Sequence, residues 1–239
     1  MPILEGEKVT KYFGGLAAVS NVDFHVDQGE IFGLIGPNGA GKTTLFNLIS
    51  ASLALKSGVI RFKGDKISGL KPYQICRRGI ARTFQSVKIF GNMQVGENVS
   101  LGALFGLPAA ISSANAASKA AELLDFVGLS AMNKIPAGEL TLVNQKRLEV
   151  ATALATEPEL LLLDELMAGL TPTETEEAMK LVTSIRDKGV TIFMIEHVMK
   201  AIMGVCDRIM VLHHGEKIAE GTPQEITTSK KVIDIYLGE

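Results

Sequence analysis

The sequence lacks tryptophan, has few aromatic residues and only two cysteines, and carries almost no net charge. Its 24 basic and 26 acidic side chains give a formal net charge of −2, which provides no overall attraction to nucleic acid or to anionic lipid. Cys76 and Cys206 are too few for a disulfide framework, so we expect reduced thiols in a cytosolic protein. No Cys/His spacing typical of zinc ligands is present.

Long hydrophobic runs are also missing. The most apolar stretch, residues 101–111, is interrupted by Gly106 and Pro108, whereas a membrane-spanning helix needs about 18 or more apolar residues. The first ten residues contain acids and lack the apolar region of a signal peptide. With 239 residues, 46% of them hydrophobic, we expect one globular domain over residues 1–239, with any membrane role supplied through a partner.

Strand-like and helix-like segments alternate along most of the chain. The apolar runs "EIFGLI", "LLLLD" and "TIFMI" have the length of buried strands, and helical patterns lie between them. Such alternation predicts an α/β fold with a parallel sheet and right-handed crossovers. The first sixty residues read mainly as strands, and "SGVIRFKGDKI" predicts a hairpin. Residues 90–138 space their apolar side chains at helical intervals, so we expect a helical insert there.

Two helix starts carry a specific local signal. Thr171 and Glu174 have the spacing of a capping box, with a proline at the first helical position, and Thr222 and Glu225 repeat it. Gly189 is placed to end the first of these helices. Both segments are therefore predicted to begin as helices at the residue after the threonine.

The nonapeptide "GPNGAGKTT" directly follows the strand "EIFGLI" and precedes the apolar segment "LFNLIS". It fits the pattern G-x-x-x-x-G-K-[ST], in which glycines let backbone N–H groups converge on phosphate oxygens. Lys42 adds a catalytic positive charge for the β- and γ-phosphates, and the Thr43 hydroxyl suits Mg²⁺. The alternative is a glycine-rich turn with no ligand. We predict a nucleoside-triphosphate site formed by Gly36, Pro37, Asn38, Gly39, Ala40, Gly41, Lys42, Thr43 and Thr44.

Two further strands end in groups that suit phosphate hydrolysis. Asp164 and Glu165 follow four leucines, and ligands of open α/β sheets bind at the carboxyl ends of the strands. Asp164 suits Mg²⁺ binding, and Glu165 is then available to polarise an attacking water. His197, after "TIFMIE", is a candidate to hydrogen-bond the γ-phosphate. The alternatives are a solvated turn for the acidic pair and a structural role for His197. We expect His213 and His214, before a glycine turn, to be solvated.

These motifs, together with Gln85 in "RTFQ" and with "AGLTPTE", occur in the order found in ATP-binding-cassette (ABC) ATPases, which the sequence resembles over essentially its whole length. The stretches "FGGLAAV", "IEHVMK", "CDRI", "EGTPQEI" and "YLGE" resemble the ATPase subunits of prokaryotic transporters that take up branched-chain, hydrophobic amino acids. The resemblance implies a P-loop NTPase fold: a RecA-like parallel sheet with an antiparallel β subdomain and a helical subdomain over residues 90–138. It also implies ATP and Mg²⁺ as ligands and ATP hydrolysis as the activity.

The resemblance also implies individual roles. Phe13 would stack on adenine, and Gln85 would reach Mg²⁺ and sense the membrane subunit. Asp164 would be the metal partner, Glu165 the general base and His197 the switch histidine. A core position remains the alternative for Phe13, and an exposed strand-end amide remains the alternative for Gln85.

Three arginines close to Gln85 have two open interpretations. Arg77, Arg78 and Arg82 form a basic group, which is either a solvated face or a contact with the membrane partner. The apolar stretch within residues 94–106 is likewise either subdomain core or part of that contact.

The sequence departs from the family pattern in the signature motif and at one further position. Cassettes of this family close over the ATP of a second, head-to-tail subunit with a signature such as Leu-Ser-Gly-Gly-Gln, and Leu140 begins the corresponding stretch here. Thr141 keeps a hydroxyl, but Val143 stands where glycine is usual and Asn144 where glutamine is usual. A β-branched side chain obstructs close backbone approach, so the ATP site built on this signature is expected to be weak. The alternative is that a small backbone shift accommodates Val143. Leu166 also replaces a usual proline.

Several other functions are alternatives to a transport ATPase. A small P-loop GTPase or nucleotide kinase is one, but the guanine motif Asn-Lys-x-Asp has only the near miss "NKIP". A cassette of another transporter class, for lipids or polar solutes, and a catalytically weak ATP-gated partner are further alternatives. Translation and DNA-repair cassettes carry a tandem cassette or a long coiled coil, and neither is found here.

The expected partners are a second cassette, in a homodimer or heterodimer, and transmembrane permease subunits, with no nucleic acid. The expected location is the cytoplasmic face of the plasma membrane. The transported solute and the direction of transport follow from the resemblance alone.

Overall fold

The computed structural model describes residues 1–107 and 109–237. Pro108, in the apolar stretch 101–111, and the last two residues of "YLGE" lie outside the described residues. The described chain combines two β-sheets with helices, in agreement with the predicted α/β class.

The smaller sheet is antiparallel, with strand order β2-β1-β4-β5. The strands β4 and β5 form the predicted hairpin. The alternating burial of β2 places Phe24 and Val26 in the core, as expected for a strand with one solvated face. The strands of this sheet are β1 (Pro2–Phe13), β2 (Leu16–Asp27), β4 (Ser57–Phe62) and β5 (Asp65–Lys66).

The larger sheet has the order β10-β9-β3-β8-β7-β6, and it is parallel except for the β9–β10 pair. Its central strands are buried along their whole length, which explains their continuous apolar sequence. Because β6, β7, β8 and β3 are neighbours, their carboxyl ends lie side by side. The strands are β3 (Ile31–Ile35), β6 (Ile80–Arg82), β7 (Leu160–Asp164), β8 (Thr191–Ile195), β9 (Arg208–His213) and β10 (Glu216–Gly221).

Helices connect the strands. The two predicted capping boxes are confirmed, since Thr171 and Thr222 each accept a hydrogen bond from the backbone N–H of the glutamate three residues later. The helices are α1 (Lys42–Ile49), α2 (Pro72–Cys76), α3 (Val95–Gly106), α4 (Ser113–Phe126), α5 (Leu142–Leu154), α6 (Pro172–Asp187), α7 (Met199–Val205), α8 (Pro223–Thr228) and α9 (Lys230–Leu237), with short 3-10 turns at Ser130–Met132 and Ala137–Glu139.

Three hydrophobic clusters hold these layers together. One joins the two sheets and α1, where the Phe46 and Phe193 rings lie 5.0 Å apart, centroid to centroid. A second covers the other face of the larger sheet with α6 and α7. The third lies within the region of α3 and α4 and also includes Leu148 and Ala151 of α5, so its packing continues beyond residue 138. The 90–138 boundary of a helical subdomain therefore stays a proposal.

The helices α3 and α5 pack with their backbones close together. A Cβ atom at Gly102 would overlap the Thr152 carbonyl oxygen, and one at Gly106 would overlap the Thr156 side chain. Neither glycine has a positive φ, so both are required by the close approach and not by the backbone conformation.

We predict that Gly102→Ala destabilises the protein, although alanine is the better helix former by about 1 kcal/mol. Pushing α3 away from α5 should lower the free energy of unfolding by about 1–3 kcal/mol. The matched control is Gly204→Ala in α7, where the new Cβ meets only the flexible end of Met179. Urea unfolding should show that control at or slightly above the wild-type stability. Equal stability of the two variants would contradict the close packing.

Candidate nucleotide site

The loop between β3 and α1 has the backbone of a phosphate cradle. Gly36, Gly39 and Gly41 all have positive φ, at 151°, 78° and 104°. A Cβ at Gly41 would overlap the Ala18 carbonyl oxygen, so this position excludes other residues both by conformation and by space. The loop leads into α1, whose first-turn N–H groups and dipole favour an anion.

Lys42 begins α1 and folds back over the loop. Its Nζ donates to the carbonyl oxygens of Gly36 (2.6 Å) and Pro37 (2.9 Å). Burial lowers the pKa of Lys42, and attraction to Glu165 and Asp164 opposes that shift. The ammonium group is therefore held at the loop, in the place where phosphate oxygens would replace the two carbonyl partners.

Glu165 follows β7 and lies between side chains from the two neighbouring strand ends. Its Oε1 is 2.6 Å from His197 Nε2, and its Oε2 accepts a hydrogen bond of 2.9 Å from Gln85 Nε2. Because an ionised carboxylate only accepts hydrogen bonds, the 2.6 Å contact requires His197 to donate from Nε2. Glu165 also has a positive φ of 54°, a conformation that is uncommon for non-glycine residues. Three of the four side chains predicted to be catalytic, those of Glu165, His197 and Gln85, thus meet in one place, and the fourth, Lys42, lines the same cavity.

Asp164 is more deeply buried and is paired with an arginine. Its Oδ2 accepts a hydrogen bond of 2.8 Å from Arg82, while no described residue hydrogen-bonds its buried Oδ1. Burial raises the pKa of Asp164, and the ion pair opposes this shift. Arg82 also donates to Asn47 and Ser50. The grouping of Arg82 with a solvated or partner-binding basic face was therefore wrong, because only 6% of its side chain is exposed.

Arg77 and Arg78 differ from Arg82 in this respect. Both are exposed at the end of α2, as the sequence prediction for a basic face requires. The difference arises because Arg82 ends a strand that pairs with β7, whereas the other two follow a surface helix.

Most of the predicted site residues, from Asn38 to Thr44 together with Gln85, Glu165 and His197, line a cavity of about 260 Å³. Its lining does not include Phe13, Gly36, Pro37 or Asp164. Larger cavities exist elsewhere. One of about 400 Å³ lies between α4 and α6, and its lining includes none of the cradle residues. The lining of the 260 Å³ cavity also includes Leu16 of β2. Phe13 pairs with Leu16 across the β1–β2 turn and is 48% exposed, so a stacking role for Phe13 stays a prediction.

His214 also lines this cavity, which sequence reasoning missed. Its ring lies 4.0 Å from the His213 ring, centroid to centroid. The next residue, Gly215, donates to the Ala40 carbonyl oxygen and so fixes the β9–β10 turn against the cradle. The only available signal was the glycine turn itself, and nothing local indicated that it packs against a loop about 175 residues earlier.

The stretch that resembles the signature begins α5, away from this chain's own cavity lining. Thr141 is the N-cap residue, but its side chain makes no capping hydrogen bond. Leu142 is exposed and Val143 is half-buried. The Asn144 amide contacts the Met132 sulfur at 3.4 Å and is thus directed toward the helical region. The first turn of α5 is therefore accessible to another molecule. It presents the aliphatic side chains of Leu142 and Val143, where the family signature has glycine backbone.

Two buried carboxyl groups lie behind the site. Glu196 accepts a hydrogen bond from the Met167 backbone N–H, and Glu149 accepts two, from the N–H groups of Phe84 and Lys88. Burial raises the pKa of each carboxyl to about 7, an effect that these hydrogen bonds oppose. Both groups are therefore able to change charge near neutral pH.

The raised pKa of Glu196 makes the stability of the folded protein depend on pH. Since its pKa is raised from 4.5 to about 7 on folding, the stabilising contribution of the protonated form is complete below pH 4.5 and is lost as pH rises through 7. Glu196→Gln mimics the protonated form at all pH values. We predict that the variant matches wild type near pH 4.5 and exceeds it by about 3 kcal/mol at pH 8 in urea unfolding.

The matched control for this pH series is Glu122→Gln, which removes one charge from the exposed face of α4. Its stability difference from wild type should not change over the same range. A difference between Glu196→Gln and wild type that stays constant with pH would contradict the prediction.

No helix in residues 1–107 and 109–237 has the length and apolar character needed to cross a bilayer.

Comparisons with known proteins agree with this geometry. Residues 19–168 match the family model described as ABC transporter, and residues 216–239 match the one described as branched-chain amino acid ATP-binding cassette transporter. The high-affinity branched-chain amino acid transport ATP-binding proteins BraF of Pseudomonas aeruginosa and LivG of Escherichia coli are 40% and 41% identical, each over 100% of this chain and 98% of the relative. A crystal structure of a nucleotide-free ABC transporter cassette superposes with a TM-score of 0.90 at 32% identity, covering 100% of both chains. The chain therefore belongs to the ATP-binding-cassette transporter family, as a P-loop ATPase subunit.

Proposed function

We propose that this protein hydrolyses ATP to drive uptake of branched-chain, hydrophobic amino acids through permease subunits in the membrane. The observation that carries the proposal is the arrangement at the cradle, where the Glu165 carboxylate lies between His197 and Gln85 in the cavity lined by Lys42. The relatives named as branched-chain amino acid transport ATP-binding proteins support the choice of solute.

The residues present fit a Mg²⁺ ion. Asp164 has a buried carboxylate oxygen to which none of the described residues hydrogen-bonds, and Thr43 and Gln85 both line the cavity. Oxygen ligands of this kind suit Mg²⁺, and we propose that these three residues hold it. When bound, the ion neutralises charge that develops on the phosphate oxygens during transfer.

Glu165 is the proposed general base. In the structure both carboxylate oxygens are engaged, one with His197 and one with Gln85. Each ionised carboxylate oxygen has a further lone pair, so an attacking water can hydrogen-bond to Glu165 beside these partners or in place of one of them. Exchange of the Gln85 contact would leave His197 in place to orient the carboxylate. Lys42 would meanwhile hold the β- and γ-phosphates, because its present partners are carbonyl oxygens that an anion outcompetes.

We propose that a second cassette completes the site. Dimeric structures of bacterial cassettes at 25% identity support such an assembly, one of them with ADP and phosphate bound. In a head-to-tail dimer, the first turn of α5 would approach the partner's γ-phosphate. Val143 obstructs that approach here, so the two sites of a heterodimer would differ: the cradle of this chain is active with an intact partner signature, and the opposite site is weak.

The permease contact is proposed for the groove beside Gln85. This groove has a volume of about 290 Å³ and a mainly apolar lining that includes Ile75, Phe84 and Gly102. Phe84 is 39% exposed although its neighbour Thr83 is buried, so an apolar side chain is presented next to Gln85. A permease segment seated there would place the protein at the cytoplasmic face of the membrane.

Two substitutions should separate ATP binding from hydrolysis. Lys42→Ala removes the ammonium group of the cradle, and we expect at least a tenfold weaker Kd for labelled Mg·ATP in an equilibrium titration. Glu165→Gln should leave that Kd within about twofold and lower the hydrolysis rate by about 10²–10⁴-fold. Lys56→Ala, on the exposed loop before β4, is the control and should change neither quantity. Equal binding by Lys42→Ala and wild type would reject the nucleotide site.

The signature hypothesis predicts a gain of activity. Val143→Gly should raise steady-state hydrolysis by the homodimer, by up to about 10²–10³-fold if one donor to developing charge is restored. Val143→Ala retains a Cβ and should give little of that gain. An unchanged rate in Val143→Gly would mean that the signature is not limiting.

A further inference from the structure

Helix α5 makes two sets of polar contacts behind the active site, and these carry an inference that rests on the proposed function. The first set belongs to Lys146, which is 5% exposed. Its Nζ donates to three backbone carbonyl oxygens in the turn after β7: those of Glu165 (2.9 Å), Leu166 (2.8 Å) and Ala168 (2.7 Å). An ammonium group has three N–H donors, and all three are used in fixing this turn.

The second set belongs to Glu149, which is 6% exposed. Its Oε1 accepts hydrogen bonds from the backbone N–H groups of Phe84 (3.2 Å) and Lys88 (3.0 Å). These two residues lie on either side of Gln85 in the loop that follows β6. The carboxylate thus fixes the path of the loop without contacting Gln85 itself.

The two fixed segments meet at the reacting groups. The turn held by Lys146 carries Glu165, the loop held by Glu149 carries Gln85, and the Gln85 carboxamide donates to the Glu165 carboxylate over 2.9 Å. Lys146 and Glu149 are three residues apart and so lie on one face of α5. One rigid helix face therefore defines the separation between Glu165, the proposed general base, and Gln85, the proposed metal ligand.

We propose that Lys146 and Glu149 are positioning residues for ATP hydrolysis, and that together they set the geometry of Glu165 and Gln85 from the helix that begins at the signature stretch. Neither residue lines the cradle cavity, so neither is placed to contact nucleotide. Their effect should fall on the rate of the chemical step and not on ATP binding, which depends on residues 36–44.

The burial of these two groups favours this role over a general contribution to stability. A buried ammonium or carboxylate group loses its hydration, and an apolar side chain of similar size is often no less stabilising at such a site. Lys146 and Glu149 hold irregular backbone, where apolar side chains provide no directional contact. A displacement of about 1 Å at a reacting group is enough to lower a rate by about 10²-fold, so directional control matters at this position.

Amide hydrogen exchange of the full chain tests the contacts directly. The N–H groups of Phe84 and Lys88 should be protected in wild type although the loop has no regular secondary structure. Glu149→Leu, which keeps the size but removes the acceptor, should exchange at these two amides about tenfold faster or more. Glu149→Gln keeps an acceptor oxygen and should retain the protection. Unprotected amides in wild type would overturn the proposal without any substitution.

Measurements of kcat and of the Kd for Mg·ATP test whether these contacts affect hydrolysis. We expect Glu149→Leu and Lys146→Met each to lower kcat by about tenfold or more with the Kd for Mg·ATP unchanged, and we expect Glu149→Gln to recover most of the wild-type kcat. The control is Arg147→Ala, since Arg147 lies between the two residues but pairs with Glu177 on α6. That variant should keep kcat within about twofold.

The outcomes separate this proposal from the function on which it rests. Failure of wild type to bind Mg·ATP would reject the ATPase site itself. If wild type binds and hydrolyses ATP, a wild-type kcat in Glu149→Leu would overturn the positioning role. A matched loss of kcat and of ATP affinity, or a loss that Glu149→Gln does not rescue, would also overturn it, because either result indicates a purely structural residue.

Discussion

Parallel pairing of β3, β8, β7 and β6 is the constraint on which the proposed chemistry depends. Adjacent strands lie about 4.8 Å apart, and this spacing alone brings side chains that follow their carboxyl ends close enough to hydrogen-bond. The cradle follows β3, His197 follows β8, Glu165 follows β7 and Gln85 follows β6. The order of strands in the sheet is thus also the order of these groups along the sheet edge, and the hydrophobic clusters on both faces hold that order fixed.

Much of this arrangement could be predicted from the sequence because its signals are local. The cradle is one continuous loop with glycines at the positions that need positive φ, and the buried strands are short apolar runs. Both capping boxes are complete within four residues. The positions of Glu165 and His197 followed from one rule about strand ends, and that rule needs only the identity of each strand.

The contacts that escaped prediction join residues distant in the chain. Arg82 was grouped with exposed arginines because charge is usually solvated, but Asp164, 82 positions later, pairs with it and removes both from water. His214 reaches the cavity only because the β9–β10 turn hydrogen-bonds to the cradle. Glu149 and Lys146 read as polar positions of an amphipathic helix, although both are buried against irregular backbone. The hydrophobic periodicity of a helix does not predict which loop a buried polar side chain will contact.

In the proposed dimer, two successive turns of α5 would act at two different nucleotide sites. Its first turn, with Val143 and Asn144, lies apart from this chain's own cavity, so departures from the usual signature there leave the cradle intact. Its next turn, with Lys146 and Glu149, holds the segments that carry Glu165 and Gln85. In the proposed dimer, changes in the first turn would therefore affect the partner's ATP, and changes in the second would affect this chain's ATP. A weak signature and a well-ordered catalytic site are compatible on one helix, which is the arrangement that a dimer with two unequal sites requires.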